Sequence, residues 1–333
     1  MWKKIKEIIK RNNLVVSLYV GYKRLLDIMK DYCYLRSKAD FCEKRKNRKE
    51  KYLIVRRKGA KGNGIFSDWF YFLPSFELAE KTGRIPVVDM EHYENPYTDI
   101  NRGGNVWLYF FTECVEGKSL ELAERSGRAR YIYRNLDIVD LYRILQNDSC
   151  EILRWNRLFK KYIHLNKDME MLFQKEYSLL FGSIYHAGEK ILGVKIRGTD
   201  YNSTKPKDHC IQPSASEMIK YAGKIMKEEQ YEYLYLATED ANVARQFMQA
   251  FGEKLLLRDG NRLGDRHLYS HSAAEEAARK YGKVKSGADY ILEVYLLAKT
   301  SALLTSGNSG SVMALIINGG LYEKVWFVDK GKY

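Results

Sequence analysis

Residues 289–328 read DYILEVYLLAKTSALLTSGNSGSVMALIINGGLYEKVWFV, and this stretch decides the fold. Apolar residues at helical spacing predict helices over 289–298 and 311–318. Short apolar runs over 302–305 and 325–328 predict strands. A strand, a helix and a second strand in succession form the unit from which parallel sheets are built. The stretch therefore indicates an α/β layer fold.

The same alternation extends upstream through the second half of the chain. A capping box of Ser214 and Glu217 predicts the start of a helix that reaches about residue 229. Further elements are predicted as a helix over 241–251 and as strands over 191–197, 233–237 and 255–257. Together these elements predict a parallel sheet with helices packed on it.

The first half opens with a smaller unit of the same kind. Residues 52–55 form a β-type run, 59–64 (GAKGNG) a glycine-rich loop, 66–79 a helical pattern and 85–89 a second strand. This order is again the building block of a parallel sheet. The stretch 105–185 is less regular, with helices predicted at 117–126 and 166–182 and a strand at 131–133.

These patterns divide the chain into three segments. A basic, mostly helical segment spans 1–50, and Rossmann-like domains are predicted at 51–186 and 187–333. Ligands of such sheets bind beyond the carboxyl ends of the strands. We therefore expect a binding cleft between the two domains.

The composition narrows the class of protein. The chain has 333 residues, of which 45% are hydrophobic and 29% charged, and this excludes collagen-like, low-complexity and wholly disordered chains. No apolar run approaches the roughly 20 residues of a transmembrane helix. The five cysteines are odd in number and form no CxxC pair. They argue against a disulfide framework or a zinc site and fit a reducing, cytoplasmic compartment.

The net charge of +14 is concentrated in residues 1–50, which hold 15 Lys and Arg against 6 Asp and Glu. The near balance elsewhere argues against a nucleic-acid groove through the body of the protein. Two interpretations of the basic segment stay open. It is either a solvated helix that leans on the core, or a peripheral contact with the anionic inner face of the cell membrane.

The first of three candidate anion-binding loops contains Gly62, Asn63 and Gly64. Glycines let backbone N–H groups approach an anion, and the helix that follows adds positive potential. The loop matches neither of the common phosphate-binding glycine motifs in register. The alternative interpretation is an ordinary tight turn.

The second loop follows the strand 191–197 and contains Lys195 and Arg197. A guanidinium at the end of an apolar strand is costly unless it faces an anion, and its planar fork suits a diphosphate. The alternative is a salt bridge from Arg197 to Asp200 or Glu239.

The third loop contains Ser306, Asn308, Ser309 and Gly310, between a predicted strand and a helix. Small hydroxyl residues and glycines at this place form an anion cradle. The alternative is a helix cap formed by Ser309 or Ser311. Two cradles and an arginine, each at a strand end, point to a nucleotide diphosphate.

Other chemistries find no support in the motifs. The sequence contains no GxSxG elbow and no HExxH pair. The six histidines do not recur at metal-ligand spacing, and no Asp-x-Asp pair is present to hold a metal on a diphosphate. We therefore expect neither a metal nor a cofactor, with the diphosphate charge neutralised by arginine and helix amides.

Four segments carry a family resemblance. They are GAKGNGIFSDWFYFLPSFELAEKTGRIPVV (59–88), VKIRGTDY (194–201), YLATEDANVARQF (235–247) and DYILEVYLLAKTSALLTSGNSGS (289–311). In order and spacing they resemble the motifs of the α1,6- and protein O-fucosyltransferase superfamily, which includes nodulation-factor and core fucosyltransferases. The resemblance implies the GT-B fold of two facing Rossmann-like domains, with 51–186 on the acceptor side and 187–333 binding the nucleotide sugar. It also implies an inverting, metal-independent transfer from GDP-fucose.

The resemblance also implies roles for individual residues. Arg197 occupies the position that contacts the donor diphosphate, and Lys195 occupies a position near guanine where the family often has histidine. Glu293 matches an acidic residue that reads guanine in some members. Ser309 matches a serine near the diphosphate, and Asp240 lies in the matching acid motif.

Two positions depart from the family pattern. Many members have a second arginine where this sequence has Gly198. The catalytic carboxylate of some relatives falls near Lys205 and is not preserved, which leaves the general base open. By proximity to the arginine motif the candidates are Asp200, Asp208 and His209, and we expect Asp200 beside Arg197 in the catalytic set.

The sequence therefore predicts a fucosyltransferase that acts on a glycan hydroxyl, such as that of a lipid-linked unit, in cell-surface polysaccharide or glycoconjugate synthesis. Two alternatives stay open. One is a GT-B glycosyltransferase that uses another nucleotide sugar, which the glycine at position 198 favours. The other is a non-catalytic protein that binds a nucleotide sugar or a glycan.

Overall fold

The computed structural model describes residues 50–57, 63–133, 136, 139–198, 205, 207–264 and 272–333. The predicted basic segment up to residue 49, the glycine loop up to Gly62, and Asp200 lie outside the described residues. Within the described ranges, no helix combines the length and the apolar character that crossing a bilayer requires.

A three-stranded parallel sheet forms the first half. Its strands are β1 (Tyr52–Val55), β2 (Ile85–Val88) and β3 (Ala129–Ile132), in the order β2-β1-β3. Val55 pairs with Val88 on one side and with Ile132 on the other, so the carboxyl ends of the three strands meet at one edge.

A five-stranded parallel sheet forms the second half. Its strands lie in the order β6-β5-β4-β7-β8. They are β4 (Ile191–Lys195), β5 (Tyr233–Ala237), β6 (Leu255–Leu256), β7 (Ala302–Thr305) and β8 (Val325–Phe327). Strand β4 is central and buried along its length, which explains its run of apolar residues.

The helices connect these strands and cover the sheets. In chain order they are α1 (Ile65–Lys81), α2 (Trp107–Phe110), α3 (Leu120–Arg125), α4 (Leu141–Leu145), α5 (Ser149–Tyr162), α6 (Lys167–His186), α7 (Ala215–Glu229), α8 (Ala241–Phe251), α9 (Ala273–Tyr281), α10 (Lys283–Leu297) and α11 (Ser309–Asn318). Helix α1 is buried around most of its circumference, so its sequence is apolar on nearly every face.

Helix α11 packs the two halves together. It lies against α10 of its own half and against α1, α4 and α5 of the first half. The Asn156 amide on α5 donates to the Ile316 carbonyl at 2.7 Å. At the end of α11, Gly319 has a φ of 70°, and a Cβ there would lie 2.7 Å from the Asn156 Nδ2 atom. The junction therefore requires glycine both for its backbone conformation and for the close approach of Asn156.

The structure confirms the predicted α/β architecture with parallel sheets. Strands β5 and β7 and helix α8 have the predicted bounds, and the capping box of Ser214 and Glu217 is present. Strand β4 is shorter than predicted and ends at Lys195, so Arg197 lies beyond the strand rather than in it. Helix α11 begins at Ser309, two residues earlier than predicted.

Among the helices of the described residues, α2, α4, α5 and α9 were not predicted. Helix α5 carried a readable signal, because Ile152, Trp155 and Phe159 recur at helical spacing after Asp148, which caps the first turn. The domain boundaries at 50/51 and 186/187 remain predictions.

Candidate functional site

Tyr290, on α10, lies where the three predicted loops meet. A Cβ built on Gly64 would lie 3.5 Å from the Tyr290 ring. The Phe66 and Tyr290 rings pack edge to face, with their centroids 4.9 Å apart. From the second half, the Lys195 ammonium lies 5.6 Å from the ring centroid. A Cβ on Gly310 would come within 3.0 Å of the Tyr290 hydroxyl. The fold thus brings the predicted segments around residues 64, 195 and 310 to one place.

Lys195 forms a buried ion cluster with two glutamates. Its Nζ atom lies 2.9 Å from a carboxylate oxygen of Glu293 and 3.6 Å from one of Glu239. Burial acts to lower the pKa of Lys195, but the two carboxylates outweigh it and raise the pKa. The ammonium is therefore charged, and it faces both carboxylates. The glutamate side chains are 13% and 25% exposed, so parts of both carboxylates remain accessible.

Arg197 is half-buried two residues beyond β4. Burial raises the pKa of Tyr97 and of Tyr290, and the charge of Arg197 opposes that shift at both hydroxyls. Tyr97 belongs to the first half, where its hydroxyl accepts a hydrogen bond from the Ile65 amide at 3.1 Å. The guanidinium therefore lies within electrostatic reach of phenols from both halves of the chain, as the cleft hypothesis requires.

Gly198 allows a close approach that no other residue would permit. Its amide donates to a Glu239 carboxylate oxygen at 3.2 Å. A Cβ at this position would lie 2.5 Å from the Asp240 carboxylate and 2.9 Å from Val243. The position where many members of the resembled family carry a second arginine thus has no room for a side chain here.

Asp240 is fully buried and caps helix α8. One of its carboxylate oxygens accepts hydrogen bonds from the amides of Asn242 at 2.8 Å and Val243 at 3.2 Å. This is the arrangement of an N-cap aspartate. The structure therefore gives Asp240 a capping role, and the donor-binding role that its place in the acid motif implies stays a prediction.

The third loop is held by Gln212. The Ser306 hydroxyl donates to the Gln212 side-chain oxygen at 2.7 Å, and the Gln212 amide donates to the Gly307 carbonyl at 2.9 Å. Ser306 is fully buried, so its hydroxyl stabilises the loop through the bond to Gln212.

The alternative in which Ser309 or Ser311 caps the helix after this loop is wrong. Asn308 is the cap, because its side-chain oxygen accepts a hydrogen bond from the Ser311 amide at 3.0 Å. Ser309 hydrogen-bonds instead with Tyr290, an interaction that acts to lower the pKa of that tyrosine. The first turn of α11 therefore opens beside the Tyr290 ring.

A buried ion pair supports the cleft from the first half. The guanidinium of Arg57, just after β1, pairs with Asp68 on α1. With the Asn63 amide oriented to satisfy its hydrogen bonds, the Asn63 oxygen accepts from Arg57 Nη1 at 3.0 Å. The Tyr93 hydroxyl donates to the other Asp68 oxygen at 3.1 Å. Burial raises the pKa of Asp68 to about 6, against the opposing charge of Arg57.

Asp208 and His209, two of the candidate bases, are exposed. The Tyr333 amide donates to the His209 carbonyl at 3.0 Å, and Cys210 forms an antiparallel bridge with Lys332. This segment is therefore held by the last residues of the chain. Asp200 lies outside the described residues, so the identity of the base stays a proposal.

One group of three side chains within the described part of the chain has metal-ligand composition: Asp89, His92 and Glu124. Arg56 forms ion pairs with both carboxylates, to Asp89 and, at 3.3 Å, to Glu124. A guanidinium between the acids already supplies the cation, which fits a metal ion poorly.

No family model and no curated protein matches the chain. Among solved structures, the chain is similar to NodZ α-1,6-fucosyltransferase co-crystallised with GDP, at 15% identity over 80% of this chain and 92% of that chain, with a TM-score of 0.47. It is also similar to a mutant of Arabidopsis thaliana FUT1 in complex with GDP, at 13% identity over 86% of this chain and 72% of that chain, with a TM-score of 0.44. A third similar structure is POFUT1 in complex with GDP, at 9% identity over 84% of this chain and 99% of that chain, with a TM-score of 0.44.

Proposed function

We propose that this protein is an inverting, metal-independent glycosyltransferase that transfers fucose from GDP-fucose to a hydroxyl of a glycan. The observation that carries the proposal is the meeting of three loops at Tyr290, with the charge of Arg197 within electrostatic reach of phenols of both halves. The motif resemblance supports the choice of GDP-fucose as donor.

The diphosphate would bind between Arg197 and the first turn of α11. A guanidinium donates two parallel hydrogen bonds to phosphate oxygens, and free amides at a helix start attract an anion. Gly310 lets this turn pack closely against Tyr290 and Lys195, because a Cβ there would lie 3.0 Å from the Tyr290 hydroxyl and 3.1 Å from the Lys195 side chain.

The guanine base would be read by a carboxylate of the Lys195 cluster. Guanine presents two adjacent N–H donors on one edge, and a carboxylate accepts two such bonds at once. Glu293 is the residue that the resemblance assigns to guanine. The Lys195 ammonium pairs with the carboxylates of Glu293 and Glu239 at 2.9 and 3.6 Å and so holds both in place.

The reaction would be a single displacement at the anomeric carbon of fucose. The acceptor oxygen forms the new glycosidic bond, the bond to the diphosphate breaks, and GDP leaves with the bonding electron pair. Arg197 and the α11 amides would stabilise the negative charge that grows on the leaving group. The acceptor hydroxyl proton would pass to a base, for which Asp200, Asp208 and His209 are the candidates.

We further propose a glycan acceptor in cell-surface polysaccharide synthesis, such as a lipid-linked unit, and a cytoplasmic protein that contacts the membrane through residues 1–50. The basic excess of that segment supports the membrane contact. Removal of residues 1–45 should shift the protein from anionic vesicles to the supernatant in a sedimentation assay. Equal sedimentation of the two forms would contradict the membrane contact.

An alternative donor is favoured by one observation, the glycine at position 198. Thermal shift with GDP, UDP and CMP at equal concentration distinguishes GDP-fucose from another nucleotide sugar as the donor. Release of fucose from GDP-fucose distinguishes an enzyme from a binding protein. We expect stabilisation by GDP alone, with slow donor hydrolysis. Stabilisation by UDP or CMP but not by GDP would show that the donor carries another nucleotide. GDP binding without hydrolysis or transfer would favour the binding protein.

A further inference from the structure

Two stacked tyrosines stand at the carboxyl edge of the first sheet. Tyr131 and Tyr133 lie two residues apart, so their side chains point to the same face of the strand. Their ring centroids are 5.7 Å apart and their planes differ by 5°. Tyr133 is 37% exposed, so the stack presents an aromatic surface to solvent.

The stack is fixed by charged groups beside it. The Arg56 guanidinium lies 5.0 Å from the Tyr131 ring centroid, and Arg56 is itself held by Asp89. The Tyr131 hydroxyl donates to a Glu124 carboxylate oxygen at 3.2 Å. Because these contacts order the rings in advance, the protein loses little conformational entropy when a ligand packs on Tyr133.

Polar groups lie at the Tyr131 end of this stack. The His92 side chain is 46% exposed and its Nδ1 lies 3.2 Å from Asp89, and the Glu124 side chain is 36% exposed. A sugar ring has an apolar C–H face and a rim of hydroxyls. An exposed aromatic ring with fixed hydrogen-bonding groups beside it matches both parts of that ligand.

Contacts link the tyrosine stack to the proposed cleft. The Tyr71 hydroxyl donates to the backbone carbonyl of Arg56 at 3.3 Å, and Arg56 is the residue whose guanidinium lies over Tyr131. The Arg57 guanidinium lies 5.9 Å from the Tyr71 ring centroid, and Arg57 also holds Asn63 at the cleft. Contacts thus lead from the tyrosine stack through Arg56, Tyr71 and Arg57 to Asn63 at the proposed cleft.

We propose that Tyr133, with Glu124 and His92 at the Tyr131 end of the stack, forms an acceptor subsite that holds a sugar ring of the glycan. The inference deepens the proposed function and rests on it, because the subsite gains its role from the neighbouring donor cleft. It names Tyr133 as a residue that determines acceptor specificity.

The test uses an array of defined oligosaccharides, with thermal shift by GDP as a separate measure of the donor site. Tyr133→Ala should weaken glycan binding about tenfold, since an aromatic contact is lost, and should leave the shift by GDP unchanged. Tyr133→Phe should keep the binding, because the ring remains. Tyr221→Ala, at an exposed tyrosine on α7, is the matched control and should bind as wild type does.

The two proposals fail in different ways. If wild type binds no glycan on the array, or if Tyr133→Ala binds glycans as tightly as wild type, the acceptor subsite is overturned. If GDP does not stabilise wild type, the proposed donor fails, whatever the array shows. Loss of binding in Tyr133→Ala that Tyr133→Phe restores would support the subsite.

Discussion

The Nζ atom of Lys195 lies 2.9 Å from the carboxylate of Glu293, and this pair joins the end of β4 to the middle of α10. Both residues lie in segments that carry the motif resemblance. The lysine side chain is 2% exposed, so its charge depends on its partners rather than on water. The pair therefore links the stability of the second half to the electrostatics of the proposed guanine site.

Removing this lysine charge should destabilise the fold. Lys195→Met leaves Glu293 and Glu239 as neighbouring carboxylates without their cation, and breaking a buried pair typically costs about 3–5 kcal/mol. Urea unfolding measures the loss, and Lys195→Met/Glu293→Gln should recover part of it. Lys330→Met, which removes an exposed pair with Glu217, is the control and should cost at most about 1 kcal/mol. Equal effects of the two single variants would contradict the buried cluster.

Position 198 should accept no side chain. Gly198→Ala places a methyl group 2.5 Å from the Asp240 carboxylate that caps α8. We expect a loss of about 1–3 kcal/mol in the free energy of unfolding, because the cap or the loop must move. Gly223→Ala, in α7 with open space around the added carbon, should be neutral or stabilising by up to about 1 kcal/mol. A neutral Gly198→Ala would show that this packing is wrong.

Asp68 should give stability a distinct pH dependence. Its pKa is raised in the folded state from the ordinary 3.8 to about 6, with burial as the largest cause. Stability from this group is therefore fully present below pH 3.8 and is lost as the pH rises through 6. The melting temperature of wild type minus that of Asp68→Asn should fall between pH 4 and pH 7, as followed by circular dichroism. A difference that rises over this range would contradict a raised pKa of Asp68 in the folded state.

Chelation should leave transfer unchanged. In the proposed mechanism Arg197 and the α11 amides neutralise the leaving diphosphate, which leaves no step for a metal ion. The measurement is the rate of GDP release from GDP-fucose with and without EDTA. A rate that falls with EDTA and returns with Mg²⁺ or Mn²⁺ would contradict the metal-independent mechanism.

Much of the fold was predictable because its signals are local. The apolar runs of β5 and β7 and the spacing in α8 are short-range patterns, and the structure reproduces their bounds. Helix starts were less certain. Asn and Ser are both favoured caps, so composition alone did not separate Asn308 from the serines that follow it.

The assembly of the site was harder to predict, because its contacts are long-range. Tyr290 reads in the sequence as one more apolar position of a helix, and only the fold brings it to Gly64 and Gly310. The pair of Arg57 and Asp68 had one signal, an acid in the largely apolar first turn of α1. Asp240 packs closely against Gly198, and no spacing rule in the sequence expresses that contact.

The central claim is that Arg197 binds a nucleotide diphosphate between the two halves of the chain. Isothermal titration of GDP into Arg197→Ala tests it most directly, with circular dichroism to show that the fold is intact. Arg245→Ala, at an exposed arginine of α8, is the matched control. The account predicts a loss of about 10²-fold or more in GDP affinity for Arg197→Ala and none for Arg245→Ala. A folded Arg197→Ala variant that binds GDP as tightly as wild type would contradict it.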